Sequence, residues 1–181
     1  MAEISGRGCK MRRNFSPALL AVALLTGCAS STPSAAAPSH TVAKPAYEYV
    51  ALDGKGISSD SNRGKVTVIA VIATYDLGSQ VVVRELSEIR VRRPRGLSML
   101  ALVLEPPKNA PLAEAFAATL DLPFPIAMAD QATLEGNGPF GSIDTVPTTI
   151  VLSPDGTEVW RHEGAVLAAE LERAIVGARA R

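Results

Sequence analysis

Thiol chemistry needs cysteine, and this chain of 181 residues has two, Cys9 and Cys28, both within its first thirty residues. The other groups placed to do chemistry are a carboxylate, Asp76 in the stretch ATYDLGSQ (73–80), and two histidines, His40 and His162. Asp76 follows an apolar run and precedes a helical pattern, which leaves two readings. As a helix N-cap its carboxylate accepts orphan backbone N–H groups and suits the positive end of the helix dipole, contributing about 1 kcal/mol. Ser79 fills the same role if the helix begins later. As a general acid or base Asp76 needs a proton-transfer partner. The two histidines are the candidates, His162 on a hairpin and His40 in an amino-terminal segment.

Other motifs exclude more than they suggest. The glycine-rich stretch EGNGPFG (135–141) has no phosphate-loop lysine and follows no strong strand, so it is no nucleotide cradle. No His/Cys/Asp cluster has metal-ligand spacing, and neither metal nor cofactor is expected. Eighteen basic and eighteen acidic side chains cancel, so no overall field draws the protein onto nucleic acid. The basic stretch IRVRRPR (89–95) is either a solvated helix end that complements the dipole or a contact for anionic headgroups, worth about 1 kcal/mol per basic residue near such a surface.

These residues must be held by elements, and periodicity predicts which. Tyr47 to Leu52 reads as a first strand with a turn at Asp53-Gly54. KVTVIAVIA (65–73) is a near-continuous β-branched run, expected of a central strand covered on both faces. From Gln80 to Arg92, Val82, Leu86 and Ile89 recur at helical spacing. LSMLALVL (97–104) is a strand ended by Pro106-Pro107, and Pro111 to Leu120 is a short helix with Leu112, Phe116 and Leu120 apolar. Phe124 to Met128 is a short extended segment. Thr148 to Leu152 and Thr157 to His162 are strands around the turn Ser153-Pro154-Asp155-Gly156. Ala165 to Ala178 is a last helix with Leu167, Leu171 and Ile175 on one face. Helical crossovers require parallel strands and the late hairpin an antiparallel pair, so the sheet is mixed.

The amino-terminal segment reads as an address. From Met11, MRRNFSPALLAVALLTGCAS has two arginines, a short apolar stretch and small residues, which makes a secretory signal too short to span a bilayer. Residues 25–28, Leu-Thr-Gly-Cys, resemble the lipobox of bacterial lipoproteins, which implies cleavage before Cys28 and diacylation of its thiol. An ordinary secretory signal with an accidental cysteine is the alternative. Met11 is a candidate true start, in which case Cys9 is never made. Residues 1–27 are thus expected to be removed, and residues 28–46, rich in Ser, Ala and Pro, to form a flexible tether to a domain at 47–181. The expected location is the bacterial cell envelope, with the lipid on Cys28 in the inner or outer membrane and the domain facing the periplasm or exterior.

The stretches LDGKGISSDSNRGKVTVIAVIATY, REL and TVPTTIVLSPDG, in that order, resemble the thioredoxin-like family of membrane-tethered envelope reductases, the TlpA and redoxin (AhpC/TSA-type) group, over roughly Tyr47 to Ala178. The resemblance implies an α/β thioredoxin-like sandwich, a mixed central β-sheet flanked by helices. It also implies a Cys-x-x-Cys pair at the positions occupied here by Asp76 and Ser79, and a cis Pro147 facing them. A carboxylate and a hydroxyl cannot exchange two electrons as a thiolate and its resolving thiol do. Peroxide reduction fails for want of the same atom. The expectation is therefore a domain without redox catalysis that binds a polypeptide or another envelope component through Tyr75, Asp76, Val146 and Pro147, since a peptide groove pairs backbone without a thiol. The alternatives are the family's thiol-disulfide or antioxidant activity, and a tethered structural domain with no ligand.

Overall fold

The computed structural model describes residues 43–93 and 95–180. Cys9, Cys28, His40, the signal and most of the tether lie outside the described residues. Among the described residues, seven strands and four α-helices follow in the order β1 (Glu48–Val50), β2 (Gly56–Ser58), β3 (Val66–Ile72), α1 (Leu77–Arg92), β4 (Leu97–Val103), α2 (Ala110–Thr119), β5 (Ile126–Met128), α3 (Gln131–Leu134), β6 (Thr148–Leu152), β7 (Glu158–Glu163) and α4 (Ala168–Arg179). A 3-10 turn, Pro107–Asn109, leads into α2.

Five strands form one mixed sheet in the order β5-β4-β3-β6-β7. β3 is parallel to β4 and antiparallel to β6, so it is central as expected. Every residue of β3 is buried, which is why its sequence lacks the polar alternation of a half-exposed strand. Alternate side chains serve opposite faces. Val66, Val68, Ala70 and Ile72 join Val82, Val83, Leu86 and Ile89 of α1, Ala113 of α2 and Leu171 and Ile175 of α4. Ile69 and Val71 join Tyr47, Tyr49, Ile57 and Phe140 beneath the small β1-β2 ribbon. This is a thioredoxin-like α/β fold.

Three expectations shift. α1 begins at Leu77 rather than Gln80, because Asp76 caps it; Leu77 is exposed and so adds nothing to the buried period. Leu112 and Leu167, expected on buried faces, are 57% and 69% exposed; Ala113 enters the core in α2, while Leu171 and Ile175 of α4 are buried as expected. Ordered contacts also start before Tyr47: the Glu158 N–H donates to the Ala43 carbonyl (2.9 Å), Lys44 pairs with Asp155 (2.7 Å), and Pro45 is buried. The amino-terminal edge of the domain is fastened to the β6-β7 hairpin because edge strand β7 has a backbone donor to offer there.

Candidate functional site at the start of the first long helix

β3 delivers the chain to Ala73, and within four residues it must turn into α1. Asp76, in extended conformation (φ −97°, ψ 128°), is the N-cap. Its Oδ2 accepts from the Ser79 backbone N–H (2.6 Å) and from the Ser79 hydroxyl (2.8 Å). Ser79, fully buried, accepts in turn from the Ala73 N–H at its Oγ (3.1 Å). The two positions at which the resemblance implies cysteines are thus joined by a carboxylate and a hydroxyl whose hydrogen bonds close the strand-to-helix turn. This is the N-cap reading of Asp76 in atomic terms.

Among the described residues the proton-transfer reading gains no partner; His40 lies outside them. His162 lies on β7, stacked on Trp160 with ring centroids 5.6 Å apart, and its Nδ1 is 3.7 Å from Glu170 Oε1. Asp76 instead bonds to Ser79.

The Val146–Pro147 peptide is cis. Pro147 is buried, Val146 half-buried, and the Pro147 carbonyl accepts from the Gly164 N–H (2.7 Å). Pro147 stands against the start of α1. A Cβ added to Gly78 would come within 3.1 Å of both Pro147 Cδ and Asp76 Oδ2, so the absence of a side chain at 78 lets the two sides of the site close. Around this contact Tyr75 and Leu77 are 78% and 75% exposed. Two exposed apolar side chains therefore flank the cap. Beside it, Thr74, Gln80, Leu112, Phe116 and Thr119 line a hollow of about 290 Å³ between α1 and α2.

One residue of the site escaped the sequence reading. Glu105, just beyond β4, is 3% exposed. Its Oε1 accepts from the Thr74 N–H (2.6 Å) and Thr74 hydroxyl (2.7 Å), and its Oε2 from the Asn109 amide (2.7 Å). Burial pushes this carboxyl up, but the three hydrogen bonds outweigh burial and hold it below the ordinary glutamate value of 4.5. Glu105 thereby fixes the loop that carries Tyr75. A charged residue wedged between an apolar strand and two prolines was the available signal.

Among the described residues no group of three or more His, Cys, Asp or Glu could hold a metal ion, and no helix is long and apolar enough to cross a membrane. The loop 135–141 packs Gly138 against Thr133 of α3.

No family model matches the chain, and no curated protein matches it. Solved structures do. A thiol:disulfide interchange protein of the thioredoxin family from Chlorobium tepidum TLS aligns with a TM-score of 0.67 and 21% identity, over 78% of this chain and 99% of that one. A secreted Mycobacterium tuberculosis disulfide oxidoreductase homologous to E. coli DsbE gives 0.62 and 14%, over 72% and 95%. StoA from Bacillus subtilis gives 0.60 and 18%, over 74% and 98%. At these identities what the chain shares with such thiol-disulfide proteins is the thioredoxin-like fold.

Proposed function

We propose that the protein is an envelope lipoprotein, held to a membrane by lipid on Cys28, whose thioredoxin-like domain binds a polypeptide partner and carries out no thiol chemistry. One observation carries this reading. The turn into α1 is intact, with Tyr75 and Leu77 exposed beside Pro147, while the hydrogen-bonded pair Asp76 and Ser79 stands where a redox pair would stand. On this reading the turn offers a contact for extended polypeptide without the atoms that electron transfer needs. Tyr75, Asp76 and Val146 are the proposed contact, with buried Pro147 packed against the start of α1.

The first test is catalytic. The domain from Ala43 to Arg181 is expected to show insulin reduction and peroxide turnover no faster than buffer; activity above that control would sink the proposal. The second is binding on a peptide array. Capture of a subset of peptides, lost in Tyr75→Ala, is expected. Uniform silence of the array would favour a purely structural tethered domain.

A further inference from the structure

The described chain emerges at one end of the sheet, and the candidate site lies at the other. Residues 43 and 44 are fastened to the β6-β7 turn by the bonds to Glu158 and Asp155. That turn is at the end where β3 and β4 begin, since Thr67 lies opposite Leu152 and Val66 opposite Leu97. Tyr75, Asp76 and Pro147 are at the end where β3 finishes and β6 begins, with Val71 opposite Thr148.

Cations gather at the end where the chain emerges, because α1 and α4 both finish there. Arg92 and Arg93 approach Glu172 of α4 (3.1 and 3.9 Å), and Arg179 donates to the Arg95 carbonyl (3.3 Å). Arg90 donates to the Leu97 carbonyl (2.8 Å) and, with Lys65, lines a hollow of about 240 Å³. Most carboxylates at this end are already matched: Asp53 by Lys55, Asp60 by Arg63, Asp155 by Lys44, and Glu88 and Glu172 by Arg92. Asp121, exposed just past α2, is outnumbered at this end by the exposed Lys65, Arg95 and Arg179. Helix dipoles explain the arginines in the last turns of α1 and α4. They do not explain Lys65 or Arg95, which lie outside both helices, nor Val91, which is 74% exposed amid the arginines.

We propose that this basic end is a docking surface for an anionic phospholipid bilayer, with the candidate site facing away from it. The inference rests on the tether of the proposed function and not on its peptide partner. On the proposed lipid attachment at Cys28, the end from which the described chain emerges is the end that the intervening residues can bring nearest the headgroups. There Lys65, Arg95 and Arg179 meet the negative surface potential, and Val91 meets the interface. At the opposite end Asp76 caps α1, and the exposed carboxylates of Asp144 and Glu163 flank Pro147 in the chain and across the β6-β7 ladder. Such a surface would repel the bilayer.

The domain from Ala43 to Arg181 is suited to the test because both core clusters lie within it. It is to be sedimented with vesicles of phosphatidylcholine alone and of phosphatidylcholine containing phosphatidylglycerol. Binding to the anionic vesicles in low salt, weak binding to neutral ones, and release in high salt are expected. The double variant Lys65→Glu/Arg95→Glu should lower partitioning about tenfold or more. Tyr75→Ala should leave it unchanged. Arg179→Glu serves as a second charge reversal, and circular dichroism checks that each variant folds. Absence of binding to anionic vesicles, equal binding by the charge-reversed variants, or retention on heparin without vesicle binding would each overturn the inference. If lipid on Cys28 is found in the native host while the domain ignores anionic vesicles, the docking surface fails and the tethered reading stands.

Discussion

The Ser79 hydroxyl accepts from Ala73 N–H and donates to Asp76 Oδ2, two bonds that a thiol in its place would make weakly. Residues of this kind were only half legible in the sequence. Asp76 could be read as a cap because a helix N-terminus leaves donors that a short carboxylate can reach. Glu105 could not be placed, because its burial depends on Thr74, 31 residues away, and no local pattern encodes that contact. A pH prediction belongs to it. The carboxylate holds its proton less tightly folded than unfolded, so its stabilisation is complete above the ordinary value of 4.5 and is lost as pH falls through the lower folded-state value. Glu105→Gln should cost about 2 kcal/mol at neutral pH. Urea unfolding at neutral pH and well below the ordinary value checks this: the gap between wild type and variant should narrow in acid, and a constant gap would contradict the assignment.

Among the elements, legibility followed length and burial. β3 and α1 declared themselves because a buried strand and a one-sided helix leave long regular patterns. β2 and α3, of three and four residues, are too short to leave any, and they form because neighbours hold them. Thr133 of α3 shows how: its N–H is capped by Asp130 (2.8 Å) and its hydroxyl meets the Tyr49 hydroxyl of β1 (3.0 Å). Gly138 packs against this same residue, and a Cβ there would stand 2.7 Å from Thr133 Cα, which is backbone and cannot swing aside. Gly138→Ala is therefore expected to cost about 1–3 kcal/mol. Chemical denaturation measures it, and a loss too small to resolve would show that the loop relaxes independently of α3. The glycines of this loop serve packing and turning, which is the physical reason a glycine-rich string alone misleads about phosphate binding.

For the molecule as a whole, fold class was legible because the order of crossovers and hairpin admits few arrangements of a mixed sheet. The opposed placement of the chain's point of emergence and the candidate site was not, since it depends on where the β6-β7 turn lies in space. Neither core cluster contains a cysteine, and the chain has none beyond Cys28. The thermal midpoint of the domain from Ala43 should accordingly be the same in dithiothreitol and in oxidised glutathione; a shift between them would reveal a dependence that these residues do not account for. The Asp76 and Ser79 pair gives that indifference a further meaning. A dithiol centre alternates between two covalent states, and whatever lies around it has to accommodate both. Here a single arrangement persists through swings of the surrounding redox poise, so the contour formed by Tyr75, Leu77 and Pro147 answers to one shape requirement only. Under the proposed function, a partner docking there would meet the same surface in oxidising and in reducing surroundings.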